Sequence, residues 1–132
     1  MAPNFIPAKD IIELSETKGF LAMQMFIVTT TPTGGMGPVM ENLEPHLAFQ
    51  GELEKAGVMF AAGANFTENG EEWRGEGTVV IRAGSIAEAR QIMDKDPMHV
   101  SGARKYTVKH WIVNEGKITV ELDYSSGKFT MI

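Results

Sequence analysis

The apolar and polar positions along the chain divide it into segments of helical and strand type. Residues 20–30 and 58–66 are apolar at nearly every position, which is typical of strands that are covered on both faces. Residues 42–56 and 85–96 instead repeat their apolar side chains at helical spacing. In chain order the pattern predicts a helix at 7–18, a strand at 20–30, a flexible loop at 31–38, a helix at 42–56, a strand at 58–66, an irregular loop at 67–76, a strand at 77–82, a helix at 85–96, a strand at 106–113, and a hairpin with strands at 117–122 and 128–131.

The ends of the two central helices carry recognisable signals. Asn42 is a suitable N-cap for the first of them, and Gly57 is suited to its end. Ser85 followed by Glu88 three residues later forms the capping-box pattern at the start of the second. That helix is expected to run until Asp96, because a proline disfavours helical geometry at the residue before it.

The resulting core order, β-α-β-β-α-β, predicts an α+β fold of the ferredoxin-like type with an antiparallel sheet. Both helices of such a unit lie on one face of the sheet, so its other face needs a cover. The first strand is apolar on both faces, and so is the segment Val58 to Ala62. We therefore expect a homodimer or a higher homo-oligomer that buries this face.

The length of 132 residues is that of one domain. We expect residues 1–132 to form a single domain with a core at about 20–113. An N-terminal extension at 1–19, containing the first helix, and a C-terminal hairpin at 114–132 would add to that core.

Composition and charge exclude several classes of protein. The net charge is -5 without a basic run, which argues against a nucleic-acid partner. There are no cysteines, so disulfides and thiolate metal sites are excluded. No apolar run is long enough to span a membrane, and the first residues lack the pattern of a signal peptide. We therefore expect a cytoplasmic protein. We also expect no cofactor, and Gly34-Gly35 and Gly75-Glu76-Gly77 lack the strand-loop-helix frame of a phosphate loop.

Two ionisable residues lie on faces that should be apolar. His46 falls in the middle of the arc formed by Leu43, Leu47 and Leu53 on the helix 42–56. Asp96 closes the next helix on the side of its apolar residues. Histidine exchanges protons near neutral pH, so the two predict a general acid or base with an orienting carboxylate. The alternative interpretation is a satisfied core histidine and an aspartate that only ends its helix.

Three further polar residues follow soon after Asp96. Arg104 could bind a carboxylate or phenolate, Ser101 could donate a hydrogen bond, and His99 could join them in binding a substrate. The alternative is that all three are surface loop residues. Trp73, in the loop 67–76, is either a lid or local packing.

Several segments, taken in order, resemble the YciI-like (YCII-related) family. They are Pro45-His46-Leu47-Ala48, Lys55-Ala56-Gly57-Val58, Ala61-Ala62-Gly63, Asp96-Pro97 before Ser101-Gly102, and the strand Tyr106 to Trp111. The resemblance implies a dimeric α+β barrel in which His46 and Asp96 correspond to the family's suspected active-site pair. It also implies small-molecule lyase-type chemistry, such as dehydrochlorination of a chlorinated hydroxyquinol.

The sequence therefore supports two functions of different kinds. The first is an enzyme that uses His46 and Asp96 for acid/base chemistry on an aromatic-derived or acidic metabolite. The second is a non-catalytic dimeric domain that binds a small ligand. A metal site built from His46, His99 and Asp96 is a weaker alternative, since their spacing has no local metal signature.

Overall fold

A computed structural model describes residues 2–132 of the chain. In order along the chain, its elements are α1 (Ala8–Thr17), β1 (Met23–Pro32), α2 (Met36–Glu41), α3 (Leu43–Lys55), β2 (Met59–Phe66), β3 (Trp73–Ile81), α4 (Ile86–Met93), α5 (Pro97–Val100), β4 (Arg104–Val113), β5 (Val120–Leu122) and β6 (Phe129–Met131).

Four strands form one sheet in the order β2-β3-β1-β4, which is the ferredoxin-like arrangement. The central strands β1 and β3 pair antiparallel, with Val28 opposite Val79 and Ile27 opposite Val80. Strand β2 pairs antiparallel with the outer side of β3. The predicted α+β fold class with an antiparallel sheet is confirmed, and the core order β-α-β-β-α-β is present with two additional short helices, α2 and α5.

The core lies between this sheet and helix α4. It consists of Phe26, Val28, Val79, Ile81, Ala89 and Met93. Side chains alternate across a strand, so Ile27 and Val80 project from the opposite face of the sheet. Helix α4 begins with the predicted capping box, in which the Ser85 side chain accepts a hydrogen bond from the Glu88 N–H.

Two compact units make up the chain, one spanning Gln24–Ile112 and the other formed by the residues up to Met23 together with Val113–Ile132. In the second unit, the Asn114 side chain makes two hydrogen bonds to the N-terminal segment. Its Nδ2 donates to Ser15 Oγ on α1 at 3.0 Å, and its Oδ1 accepts from the Ala22 N–H at 3.2 Å. The same unit contains the hairpin β5–β6, in which Val120 pairs with Met131 and Leu122 with Phe129.

The prediction of a flexible loop at 31–38 is wrong, because helix α2 begins inside it. Gly35 takes a positive φ of 75° just before the helix, and Pro38 falls in the first turn, where a missing N–H costs little. Val39 of this helix is fully buried. The approach to β3 is close: a Cβ at Gly75 would lie 2.6 Å from Pro32 Cγ and 3.5 Å from Val39 Cγ2.

The prediction of one helix over 85–96 is also wrong in its second half. Helix α4 ends at Met93, and Asp96 is extended, with φ -61° and ψ 127°. The Asp96 side chain accepts a hydrogen bond from the Met98 N–H and so caps the separate helix α5. A proline at the first position of α5 suits this start. Asp96 is therefore positioned as the N-cap of α5 and not as the last residue of α4.

Candidate active site

Helix α3 carries His46 into the interior. The ring is 5% exposed, whereas its neighbour Leu47 is 49% exposed and Leu43 is half-buried. The polar residue is therefore the best-covered side chain of this helix, the reverse of what an amphipathic helix shows. A group buried at such a position needs a partner.

Asp96 is that partner. Its carboxylate is 1% exposed and lies 2.9 Å (Oδ1) and 2.8 Å (Oδ2) from His46 Nδ1. Oδ1 also accepts the Met98 N–H at 2.9 Å. An ionised carboxylate only accepts hydrogen bonds, so Nδ1 must carry the hydrogen. Nε2 is then the nitrogen that remains available to a ligand.

A cavity of about 250 Å³ lies beside this ring, between α3 and the sheet. His46 and Arg104 both line it, and Thr30 of β1 and Trp73 of β3 line it as well. Its other lining residues are Leu43, Leu47, Gln50, Ala62, Gly63, Ala64, Glu76, Gly77, Thr78 and Val79. The walls are thus mainly apolar with a few polar groups, as is usual for small-molecule sites.

Arg104 brings a positive charge to the same cavity. Its side chain is 5% exposed, and its Nε has no hydrogen-bond partner among residues 2–132. Burial lowers the pKa of the guanidinium from its ordinary value, and the Asp96 carboxylate offsets part of that shift. A buried guanidinium in the wall of a cavity is suited to an anionic ligand.

His99 and Ser101 do not line the cavity. His99 Nδ1 lies 2.6 Å from the Met93 carbonyl oxygen, and its Nε2 lies 2.8 Å from Thr30 Oγ1. Ser101 is exposed, accepts a hydrogen bond from the Ala103 N–H and donates one to the Met98 carbonyl. Of the three polar residues predicted to bind substrate, the structure brings Arg104 alone to the cavity wall.

Comparison with known proteins now gives the family. A model of the YCII-related domain matches residues 23–112. The chain belongs to the YCII-related family. No curated protein matches the chain.

A solved structure resembles this YCII-related protein over most of its fold. It is a 5-chloro-2-hydroxyhydroquinone dehydrochlorinase from Burkholderia phenoliruptrix AC1100, in complex with 2,5-dihydroxybenzoquinone. The TM-score is 0.54 at 18% identity, and the match covers 67% of this chain and 93% of the other. At that identity the likeness concerns the fold.

Sequence reasoning missed Thr30 and placed Trp73 without deciding its role. Thr30 lies in a run of threonines at the end of an apolar strand, where nothing in the sequence distinguishes it from its neighbours. The indole N–H of Trp73 donates to the Glu76 carbonyl oxygen at 2.9 Å, which fixes the ring against the cavity. Only the topology reveals that both residues share a wall with His46.

The YCII-related protein shows neither a metal centre nor a membrane helix in the described part of the chain. Among residues 2–132, no three histidine, aspartate or glutamate side chains come together in a way that could hold a metal ion. His99 is thus not brought to the His46–Asp96 pair in the described part of the chain. Within the same range, every helix is too short or too polar to cross a bilayer.

Proposed function

We propose that this protein is a small-molecule enzyme in which His46 Nε2 transfers a proton to or from a ligand bound in the cavity. The observation that carries the proposal is the buried contact of 2.8 Å between His46 Nδ1 and Asp96 Oδ2 beside that cavity. The contact fixes the tautomer and the orientation of the ring, and it favours the imidazolium that forms when Nε2 accepts a proton.

Arg104 would hold the negative charge of the ligand. The buried guanidinium lines the cavity, and a carboxylate or phenolate bound there would give this cation an ionic partner. As a proton leaves the ligand, the charge that develops on its oxygen would be stabilised by the same guanidinium.

An elimination is the reaction that this arrangement supports best. His46 Nε2 would accept a proton from an acidic C–H or O–H of the ligand, and the leaving group would depart with the electrons of its bond to carbon. For a chlorinated substrate, the sum is the loss of one HCl and the formation of an unsaturated product. The structural neighbour is a dehydrochlorinase of a chlorinated hydroxyhydroquinone. This supports the choice of an elimination and of an aromatic-derived, acidic substrate.

A homodimer or higher homo-oligomer belongs to the same proposal. The helices of residues 24–112 pack toward the face that carries Val28 and Val79, and the opposite face carries the buried Val80, the half-buried Ile27 and Trp111, which is 40% exposed. Such a face is suited to a second copy of the chain. Light scattering should give a mass above 14.5 kDa, and Ile27→Asp should reduce it to that of the single chain. A wild-type mass of one chain would contradict the dimer.

We also propose that the protein is located in the cytoplasm.

The test uses the compounds in the neighbour's name as probes. We expect the wild type to release chloride from 5-chloro-2-hydroxyhydroquinone, and His46→Gln to lower the rate by a factor of about 10²–10⁴. His110→Gln is the matched control, because that ring stacks on Phe26 outside the cavity. An unchanged rate in His46→Gln would overturn the proposal. Binding of 2,5-dihydroxybenzoquinone without any turnover would instead support the non-catalytic binding function.

A further inference from the structure

The hydrogen bonds of His99 determine what Thr30 can offer to a ligand. The Met93 carbonyl oxygen can only accept, so the 2.6 Å contact requires a hydrogen on His99 Nδ1. In the neutral ring, Nε2 is then unprotonated and can only accept. The Thr30 hydroxyl, 2.8 Å away, must therefore donate its hydrogen to His99.

Thr30 is held firmly in this state. It is buried on β1 and lies opposite Gly77 of β3, and both residues line the cavity. The His99 ring is fixed as well, because it packs on Tyr106 with ring centroids 4.6 Å apart. With its hydrogen turned toward His99, the Thr30 hydroxyl has only lone pairs left for another partner, and Thr30 is one of the residues that line the cavity.

We propose that His99 is a positioning residue that makes Thr30 a hydrogen-bond acceptor, so that the site selects a ligand with a hydroxyl donor in addition to its anionic group. This inference rests on the proposed function, since it assigns the anionic group to Arg104. The substrate class is then a small hydroxylated carboxylate or a phenolate with a second hydroxyl. A cavity of about 250 Å³ restricts it to roughly a single ring.

A Thr30 hydroxyl that can only accept also excludes compounds. A methoxy group in place of the hydroxyl has lone pairs but no hydrogen, and would face the Thr30 lone pairs without a partner. Sites that are built to hydrogen-bond a hydroxyl reject analogues that lack it, because the buried polar group is left unpaired. The ratio of the affinities for a hydroxyl compound and its methoxy analogue therefore reports whether His99 holds Thr30 as an acceptor.

The experiment measures binding of benzoate, its three monohydroxy isomers and the matching methoxybenzoates by calorimetry or ligand-observed NMR. We expect one hydroxybenzoate to bind about tenfold more tightly than both benzoate and its methoxy analogue. Thr30→Val should abolish this preference, and Thr30→Ser should retain it. His99→Phe, which keeps a ring against Tyr106, should reduce it, since the freed Thr30 hydroxyl could then donate to a methoxy oxygen.

The outcomes separate this inference from the proposed function. If benzoates bind and Arg104→Gln abolishes their binding, but hydroxyl and methoxy compounds bind equally, His99 does not position Thr30 and the inference is overturned. An unchanged preference in Thr30→Val would overturn it too. If no benzoate binds to the wild type, the anion site fails and this inference fails with it.

Discussion

Two histidines meet helix α5 in different ways, and the difference indicates what each can do. His46 binds the N-cap residue of the helix, Asp96, through Nδ1 and turns its other edge to a cavity. His99 belongs to the last turn of the helix and uses both ring nitrogens, one on the Met93 carbonyl and one on Thr30. An imidazole with one free nitrogen can exchange a proton with a ligand, whereas one with both nitrogens occupied can only orient its neighbours.

The nature of the Nδ1 acceptor deepens this contrast. A carboxylate stabilises the charged imidazolium, so His46 can gain a proton at Nε2 while keeping its contact. The carbonyl acceptor of His99 carries no full charge, and protonating its Nε2 would break the acceptor role toward Thr30.

Matched substitutions of the two histidines should differ most in activity. His46→Gln should lower the rate of chloride release by a factor of about 10²–10⁴, since the proton-transfer group is lost. His99→Gln should lower it by about tenfold or less, because it affects one hydrogen bond to the ligand. Equal losses, measured under single-turnover conditions, would mean that the two rings do not have the separate roles assigned to them.

Removing the Asp96 carboxylate should damage both activity and stability. Asp96→Ala leaves the buried His46 without its partner, and we expect a loss of about 3–5 kcal/mol in the free energy of unfolding, measured by urea denaturation. Asparagine caps helices as well as aspartate does, so Asp96→Asn should keep the start of α5 and lose less stability. Its activity should still fall strongly, because the amide can donate to Nδ1 and move the hydrogen to Nε2. Wild-type activity in Asp96→Asn would show that the carboxylate charge is not needed.

Substitution of Arg104 should have opposite effects on ligand binding and on the free energy of unfolding. Arg104→Met removes a buried cation with an unpartnered Nε, so we expect the free energy of unfolding to rise by about 1–3 kcal/mol while benzoate binding is lost. Arg74→Met is the control, because Arg74 pairs with Glu72 at the exposed surface, where such pairs contribute about 0–1 kcal/mol. A less stable Arg104→Met would mean that the attraction between the guanidinium and the Asp96 carboxylate outweighs the cost of burying the cation.

The smallest expected effect concerns Tyr106, whose ring packs against that of His99. Burial, and then the hydrogen bond of 2.6 Å to Asp94, raise the pKa of Tyr106 to about 12. A raised pKa stabilises the folded state while the phenol is neutral, so this contribution is complete below about pH 10 and disappears as the pH rises to 12. Tyr106→Phe should be slightly less stable than the wild type at pH 8 and equal to it near pH 12. A stability difference that persists at pH 12 would contradict this account.

The sequence predicted the fold well where the signals are local. The order of strands, the helix 42–56 and the capping box at Ser85 follow from spacing and from residue types within one element. The prediction from sequence was wrong where one side-chain hydrogen bond decides between two local structures. Whether the chain from Met93 to Pro97 continues as a helix or restarts depends on the hydrogen bond from the Met98 N–H to Asp96.

The candidate site was predictable in part, for the same physical reason. A histidine on an apolar arc and an aspartate before a proline are visible in the sequence, and the structure places them in contact. The roles of His99 and Thr30 were not visible, because their hydrogen bond joins residues 69 positions apart in the chain. Such contacts depend on strand register and on the exact start of α5, which periodicity does not fix.

The protonation of the His46 ring is the most direct test. Long-range proton–nitrogen NMR on protein with labelled histidine, recorded on the neutral ring, reports which nitrogen carries the hydrogen. We expect Nδ1 to be protonated and Nε2 to be of the unprotonated, pyridine type, with the reverse pattern in Asp96→Asn. A wild-type ring with its hydrogen on Nε2 would contradict the claim that Asp96 prepares this histidine to accept a proton from a ligand.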